Sequence, residues 1–296
     1  MAHLKKESRD FLKGMAFISP WLFGFGMFML LPIGLSVWFS FCDYPILKPP
    51  VFIGTNNYRE LMHDPVFWAV IRNSLYYAVL ALPAGLIASL GIALLLNRKV
   101  PGQSIFRTIV FLPSLVPTVA TAILWMWLYD QKYGLINSVI RHLDLPGPGW
   151  LTDYHWVIPA LALMSVWGVG NTVVIYLAGL QDVPRELYEA AELDGAGPIG
   201  QLFNVTLPFL SPVIFFNLVI AIIGVLQVFD APYIMTDDGG PDRASYFFTN
   251  FLYDSGFTYV KMGYASALAW IQFLVILALT GLAFWSSRRW VYYQGK

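Results

Sequence analysis

Few side chains in this sequence are placed to do chemistry, and most of them lie in one polar stretch, Asp182 to Pro208 (DVPRELYEAAELDGAGPIGQLFNVTLP). Its residues 195–200, Gly-Ala-Gly-Pro-Ile-Gly, match the glycine spacing of a dinucleotide fingerprint. That fingerprint works only where a strand hands over to a helix aimed at pyrophosphate. Here the stretch follows a helical pattern, contains Pro198 and has no strand pattern nearby. A phosphate-cradling P-loop needs Gly-Lys-Ser or Gly-Lys-Thr, and neither occurs. No cofactor is therefore expected in this chain, and any ATP that drives it must bind to another subunit. Glu186, Glu189, Glu192 and Asp194 offer carboxylates for acid–base work or a metal, but their spacing spreads them around a helix and no histidine lies near. His3, His63, His142 and His155 fall in tails or loops, and the single Cys42 leaves no disulfide and no Cys/His metal spacing. No catalytic residue and no metal ligand is predicted.

A second group sits in apolar surroundings. Asn171, Asn217 and Gln227 interrupt hydrophobic runs, Asp230 stands at the edge of one, and Trp167, Gly168, Tyr176 and Phe229 are close in sequence. Amides and carboxylates can bond the hydroxyls of a sugar, and aromatic faces can cover its C–H surface. Polar side chains inside a membrane mark a substrate path by default. The alternative is hydrogen bonding between helices, which stabilises membrane bundles by about 1 kcal/mol per bond.

The elements that hold these groups follow from composition. Hydrophobic residues make up 57% of the 296 and charged residues only 12%, which places the chain in the membrane class. The net charge of zero gives no reason to expect nucleic acid. Spans need roughly 20 mostly apolar residues. Six segments qualify, about 15–41, 70–96, 106–129, 156–180, 207–229 and 263–287, carrying no charge except Arg72 and Arg107 near their ends. The basic head Lys5, Lys6, Arg9, Lys13 precedes an apolar run too long for a signal peptide, so the first span is expected to stay. An even number of spans puts both termini on one side. With them inside, that side holds Lys5, Lys6, Arg9, Lys13, Arg98, Lys99, Arg107, Arg185, Arg288, Arg289 and Lys296. The other side holds Lys48, Arg59, Arg72, Lys132, Arg141, Arg243 and Lys261, spread over longer loops. The positive-inside rule puts the termini and the 182–206 loop in the cytoplasm.

The outer loops are expected to hold a surface helix at Asn57–Met62, a turn cluster at Pro146–Gly149 and an irregular turn at Asp237–Pro241. None is long enough for a domain of its own, so residues 1–296 are read as one transmembrane domain. Trp125, Trp127, Tyr129 and Trp285 near span ends suit interfacial anchoring. The 182–208 stretch itself predicts a short helix. Asp182 could cap it, Pro184 suits its first turn, Glu186 suits the positive end of its dipole, and Gly195 stops it. Val183, Leu187, Ala190 and Ala191 give only a thin apolar stripe, and a helix with no core of its own reads as a docking element.

Glu189-Ala190-Ala191, Gly195 after three residues and Val205-x-Leu207-Pro208 after nine more resemble the EAA loop of ATP-binding-cassette importer permeases. Glu186-Leu187-Tyr188 and Asp194-Gly195-Ala196 look like the carbohydrate-uptake branch, the maltose and glycerol-phosphate permease type. Phe111-Leu112-Pro113, Trp125-Met126-Trp127, Gly134-Leu135-Ile136-Asn137 and Met262-Gly263-Tyr264-Ala265 extend the resemblance over nearly the whole chain. It implies an all-α membrane protein of the type I importer permease fold, with six transmembrane helices and a cytoplasmic coupling helix. The protein would be a translocation subunit importing a sugar or oligosaccharide by ATP-driven alternating access across a bacterial or archaeal plasma membrane. Partners would be a second permease, two ATPase subunits carrying ATP and magnesium, and an extracytoplasmic solute-binding protein. Coupling would fall to Glu186, Glu189, Ala190, Ala191, Asp194 and Gly195, with Glu189 meeting a basic residue of the ATPase. The substrate pathway would involve Trp167, Gly168, Asn171, Gln227, Phe229 and Asp230. Extra N-terminal spans and a large periplasmic insertion, found in some maltose-type subunits, are lacking. A coupling motif says nothing about cargo, so a non-sugar solute stays open. An ion-coupled secondary transporter would carry charges at mid-membrane depth, and these spans have none.

Overall fold

The computed structural model describes residues 2–98 and 101–292. Lys99 and Lys296, counted above among the inside charges, lie outside the described residues. The chain forms two compact units, Met1–Asp64 with Leu252–Ile271 and Pro65–Phe251 with Gln272–Lys296.

In the first unit, α1 (Ala2–Phe25) passes through a π-helical turn at Gly26–Leu30 into α2 (Leu31–Ser40). Residues 11–40 are apolar enough to cross a membrane, and Phe17, Trp21, Phe23 and Phe28 are exposed along them. Strands β1 (Cys42–Asp43) and β2 (Val51–Phe52) pair antiparallel, Cys42 opposite Phe52. Then α3 (Asn56–His63) follows as the helix expected there. Buried Asn57 anchors it, donating from Nδ2 to the carbonyls of Ser40 and Cys42 at 2.9 Å each. The Met262-Gly263-Tyr264-Ala265 motif closes this unit. A Cβ at Gly263 would collide with the Cys42 carbonyl oxygen, and Tyr264 donates to Asp64 Oδ2 at 2.8 Å.

The second unit begins with α4 (Pro65–Leu96), 32 residues and about 48 Å long, enough to cross the roughly 30 Å hydrocarbon layer with tilt. Next come α5 (Gln103–Phe111), α6 (Thr118–Leu128), α7 (Leu135–His142), α8 (Val157–Trp167) and α9 (Gly170–Gln181). After α10 (Arg185–Leu193) and α11 (Pro198–Gln201), a π-helical turn at Leu202–Thr206 leads into α12 (Leu207–Leu226). Then α13 (Asp230–Met235) follows, and α14 (Phe248–Tyr253) and α15 (Met262–Ser287) are each divided between the units, α14 after Phe251 and α15 after Ile271. α4 is the centre of the packing, touching α8, α9 and α12, while α13 lies on α6. One core collects Tyr77, Tyr129, Trp150, Leu161 and Phe247; another collects Ala93, Tyr176, Leu180 and Leu210.

Among the described residues, four stretches are long and apolar enough to span a membrane, or six if each of two bent pairs is one span. The segment expected at 106–129 is broken by 100° between Gln103–Leu115 and Thr118–Leu128. Val116, before Pro117, is pushed out of the helical region to ψ 130°, as a residue preceding proline must be. The segment expected at 156–180 bends by 49° between Trp167 and Gly170. The breaks meet: a Cβ on Gly170 would lie 2.8 Å from the Val110 carbonyl oxygen and 3.0 Å from Ser114 Oγ. Only glycine lets α9 start against the end of α5.

Two loops expected outside are more regular than their turn residues suggest. The 130–155 loop holds α7, and its hub is Asn137, fully buried. Asn137 donates to the carbonyls of Gln131 and Pro148 and accepts from Trp150 Nε1 at 2.8 Å. The 230–262 loop, expected to be largely irregular, contains α13, α14 and 3₁₀ turns at Asp237–Gly239 and Pro241–Arg243.

Candidate functional site

The second unit presents two candidate surfaces, one outside the apolar segments and one among them. The first is α10. Its start differs from the sequence expectation: Pro184 is the N-cap residue in extended conformation, with no side-chain cap, whereas Asp182 terminates α9. The physical reason is that α9 continues to Gln181, leaving Asp182 as the C-cap of one helix rather than the N-cap of the next. Glu186 does sit in the first turn, at the positive end of the dipole. Gly195 stops the helix at φ +81°. Its N–H donates to the Glu192 carbonyl at 2.9 Å and that of Ala196 to Ala191 at 2.8 Å, the paired bonds of a Schellman motif. Beyond Gly195 the helix does not continue: Gly197 is extended, and Pro198, which needs no N–H partner, opens the separate α11.

No residue of α10 is buried. Glu186, Glu189, Ala190 and Asp194 are exposed, with Leu187, Leu193, Ile199 and Phe203 adding exposed apolar area. What holds α10 is a polar tether to the foot of α12. Tyr188 and the buried Thr206 share a hydroxyl–hydroxyl hydrogen bond of 3.0 Å, and Gln201 Nε2 donates to Glu192 Oε1 at 3.4 Å.

The second surface is a cavity of about 360 Å³ enclosed by α4, α8, α9 and α12. Its polar lining is Tyr77, Ser165, Asn171, Thr172 and Asn217, beside Gly168 and Gly224. Asn217 is 4% exposed; its side chain lies beside the Tyr176 hydroxyl, but its Nδ2 makes no well-formed hydrogen bond among the described residues. The bend at Gly168 brings the first turn of α9, with N–H groups that a helix leaves unpaired, to the wall. Irregular backbone at membrane depth is tolerated where it lines a cavity.

Of the expected pathway residues, Gly168 and Asn171 line this cavity, and so does Asn217. Trp167 instead stands edge-on to Trp125, ring centroids 6.3 Å apart. Gln227 is the exposed C-cap of α12. Phe229 stacks on Tyr233 at 4.9 Å, and Asp230 is exposed in the first turn of α13. Tyr77, Ser165 and Thr172 were not singled out in the sequence. Thr172 had a signal, its place beside Asn171 in an apolar run; Tyr77 and Ser165 had little.

A helical bundle with a polar cavity among its spans and an exposed acidic helix between two of them defines a membrane translocation subunit. The sequence matches the family model described as binding-protein-dependent transport system inner membrane component over residues 81–292. The chain belongs to that family: it is a multi-pass permease subunit, not an enzyme. It is 35% identical over 303 aligned residues to the probable ABC transporter permease protein YesP of Bacillus subtilis (strain 168), covering 100% of this chain and 98% of the relative. The sulfoquinovosyl glycerol transport system permease protein SmoG of Agrobacterium fabrum is 32% identical, with 92% and 89% covered. Among solved structures, a bacterial ABC transporter involved in importing the acidic polysaccharide alginate aligns with a TM-score of 0.84 at 25% identity, covering 98% of this chain and 99% of that one. The fold is thus that of an importer permease.

Proposed function

We propose that this permease imports a sugar or oligosaccharide, taking it through the cavity between α4, α8, α9 and α12. The observation that carries this is the cavity's polar lining, Asn217, Asn171, Thr172, Ser165 and Tyr77 among apolar spans, with the Nδ2 of buried Asn217 lacking a well-formed hydrogen bond. Leaving a buried donor unpaired is costly unless a ligand or water meets it. A set of amides and hydroxyls suits a polyhydroxylated, uncharged cargo. The relatives named for sulfoquinovosyl glycerol and alginate transport support a carbohydrate over other solutes.

The helix α10 docks into an ATPase subunit, with Glu189 against a basic residue, Ala190 and Ala191 at the close contact, Glu186 and Asp194 at its flanks, and Gly195 turning the chain. Both termini and this helix face the cytoplasm, as the distribution of Lys and Arg favours. A second permease completes the pathway, two ATPases bind ATP and magnesium below, and a solute-binding protein delivers cargo from above. No cofactor belongs to this chain. Closure of the ATPases draws the coupling helices together and opens the cavity outward; hydrolysis reverses it, a shift between two states driven by differential contacts.

The test is the complete transporter in proteoliposomes, screened for binding-protein-dependent stimulation of ATP hydrolysis by mono- and oligosaccharides, amino acids and polyols. Stimulation by a carbohydrate, together with its uptake, is expected. Stimulation by a non-carbohydrate alone refutes the cargo, and proton-driven uptake without ATP refutes the coupling.

A further inference from the structure

A basic side chain that the transport reading does not use lies at the end of the bundle where α5 begins. Arg107 reaches into a cavity of about 210 Å³ between α5 and α9, walled by Val110, Phe111, Val174 and Leu177 with Gln181 at the rim. Its Nε is buried and lacks a hydrogen-bond partner among the described residues. No carboxylate lines the cavity. Charged groups within membrane spans are costly unless paired, so a part-buried guanidinium whose Nε is shut off beside apolar walls calls for an anion. α5 is turned by 100° from α6, and its outward residues Ile105, Phe106 and Ile109 are 63%, 51% and 59% exposed. A short helix with an apolar outer face and a cationic inner pocket suits the boundary between headgroups and acyl chains.

We propose that this cavity binds the headgroup phosphate of an anionic membrane lipid. The guanidinium takes two phosphate oxygens in its planar fork. Gln181 adds a neutral N–H donor, and the first acyl carbons lie on Val110, Val174 and Leu177. Free phosphate offers the same oxygens but nothing for the apolar walls, which is why a lipid is favoured. Basic pockets between membrane helices recognise such headgroups by this combination. Neither the cargo nor the docking of α10 enters into it, so failure of either leaves it standing.

The test uses the assembled transporter in nanodiscs of phosphatidylcholine doped with phosphatidylglycerol, with retained lipid counted by native mass spectrometry. The native transporter should keep phosphatidylglycerol in preference to phosphatidylcholine. Arg107→Gln, which keeps length and hydrogen bonding but not charge, should reduce that preference about fivefold, the usual weight of one basic residue near a membrane surface. Arg107→Lys should retain most of it. Equal preference in the native and Arg107→Gln proteins overturns the proposal, as does displacement of the lipid by millimolar inorganic phosphate, which would assign the pocket to the free anion. If Arg107→Gln separates the permease from its partners and leaves lipid retention unchanged, the counter-charge is a neighbouring subunit's carboxylate and the lipid is refuted. Should that variant fail to assemble, the native protein and Arg107→Lys still decide: absence of any phosphatidylglycerol preference in both overturns it.

Discussion

Replacing Asn217 by leucine should stabilise this permease and impair it at the same time. Asn217 is 4% exposed on α12 and lines the cavity, and its Nδ2, beside the Tyr176 hydroxyl, makes no well-formed hydrogen bond among the described residues. A buried donor left unmet costs about 1–3 kcal/mol. Leucine repeats the branching of asparagine at Cγ, carries no donor, and is better in a helix by a few tenths of a kcal/mol. The empty transporter should therefore melt at a higher temperature than the native one. With cargo bound the sign reverses. The hydroxyl that Asn217 would have met is left unpaired in a dry pocket, costing about 1–3 kcal/mol, or roughly tenfold to a hundredfold in affinity. The assay pairs thermal unfolding of the purified complex with binding-protein-dependent uptake over a range of sugar concentrations. A higher melting point with a raised KM and unchanged basal ATPase is expected. A lower melting point with native uptake would refute the reasoning, because it would mean that Asn217 serves packing.

The other expected pathway residues divide by position: Asn171→Ala, in the cavity, should raise the KM for uptake about tenfold, whereas Gln227→Leu, outside it, should change uptake little, and equal effects would contradict the cavity assignment. Glu189→Lys and Gly195→Pro should abolish ATP-dependent uptake while the permease still inserts. The lysine meets like charge, and proline can neither adopt φ +81° nor donate to the Glu192 carbonyl; native uptake in both would remove the docking role of α10. Asn137→Ala strips the 130–155 loop of three hydrogen bonds and should destabilise it by roughly 1–3 kcal/mol, seen as a red shift of tryptophan emission once Trp150 is released. In a Cys42→Ser background, a cysteine at Tyr133, 88% exposed, should react with an impermeant thiol reagent in intact cells, while one at Leu193, 90% exposed, should react only after the membrane is opened. Outside labelling at 193 would reverse the orientation.

Apolar runs of span length announce helices in any sequence, and here they do so even where the helices break. Pro117 signals a boundary through its effect on Val116. The 100° turn is another matter, since it depends on the approach of Gly170 to Val110 and Ser114 from a distant segment. α7, α13 and α14 were hidden in loops because helices of six or eight residues have no stability of their own and form on a tertiary surface. Among site residues, Asn171 and Asn217 stood out because amides are rare in apolar runs. Tyr77 and Ser165 did not, because hydroxyls in spans often satisfy themselves locally, as Ser165 does by donating to the Ala162 carbonyl at 2.7 Å. Gln227, Phe229 and Asp230 follow the end of α12, where the backbone at Gln227 (φ −106°) and Phe229 (φ −136°) departs from helical angles. Nearness in sequence could not reveal that departure.

Under the proposed docking of α10, the spacing of the two amides from the 182–206 loop gives that loop a route to a distant cavity. Asn171 lies ten residues before Gln181, the end of α9, which at 1.5 Å per residue is roughly 15 Å. Asn217 lies eleven residues after Thr206, at the foot of α12, roughly 16 Å. The two amides therefore stand at matching heights on the two helices that the 182–206 loop joins. Those helices touch closely: a Cβ on Gly179 would come within 2.9 Å of Leu210 and Val213. The loop between them is not slack either. Its turn is fixed by the Schellman bonds at Gly195, and Tyr188 is bonded to Thr206 beside the π-helical turn that begins α12. A push on α10 therefore reaches Thr206 through one hydrogen bond and reaches the cavity walls along two short helices in contact. Loop flexibility would dissipate that displacement, which gives a physical reason for a tether of hydroxyls at this joint.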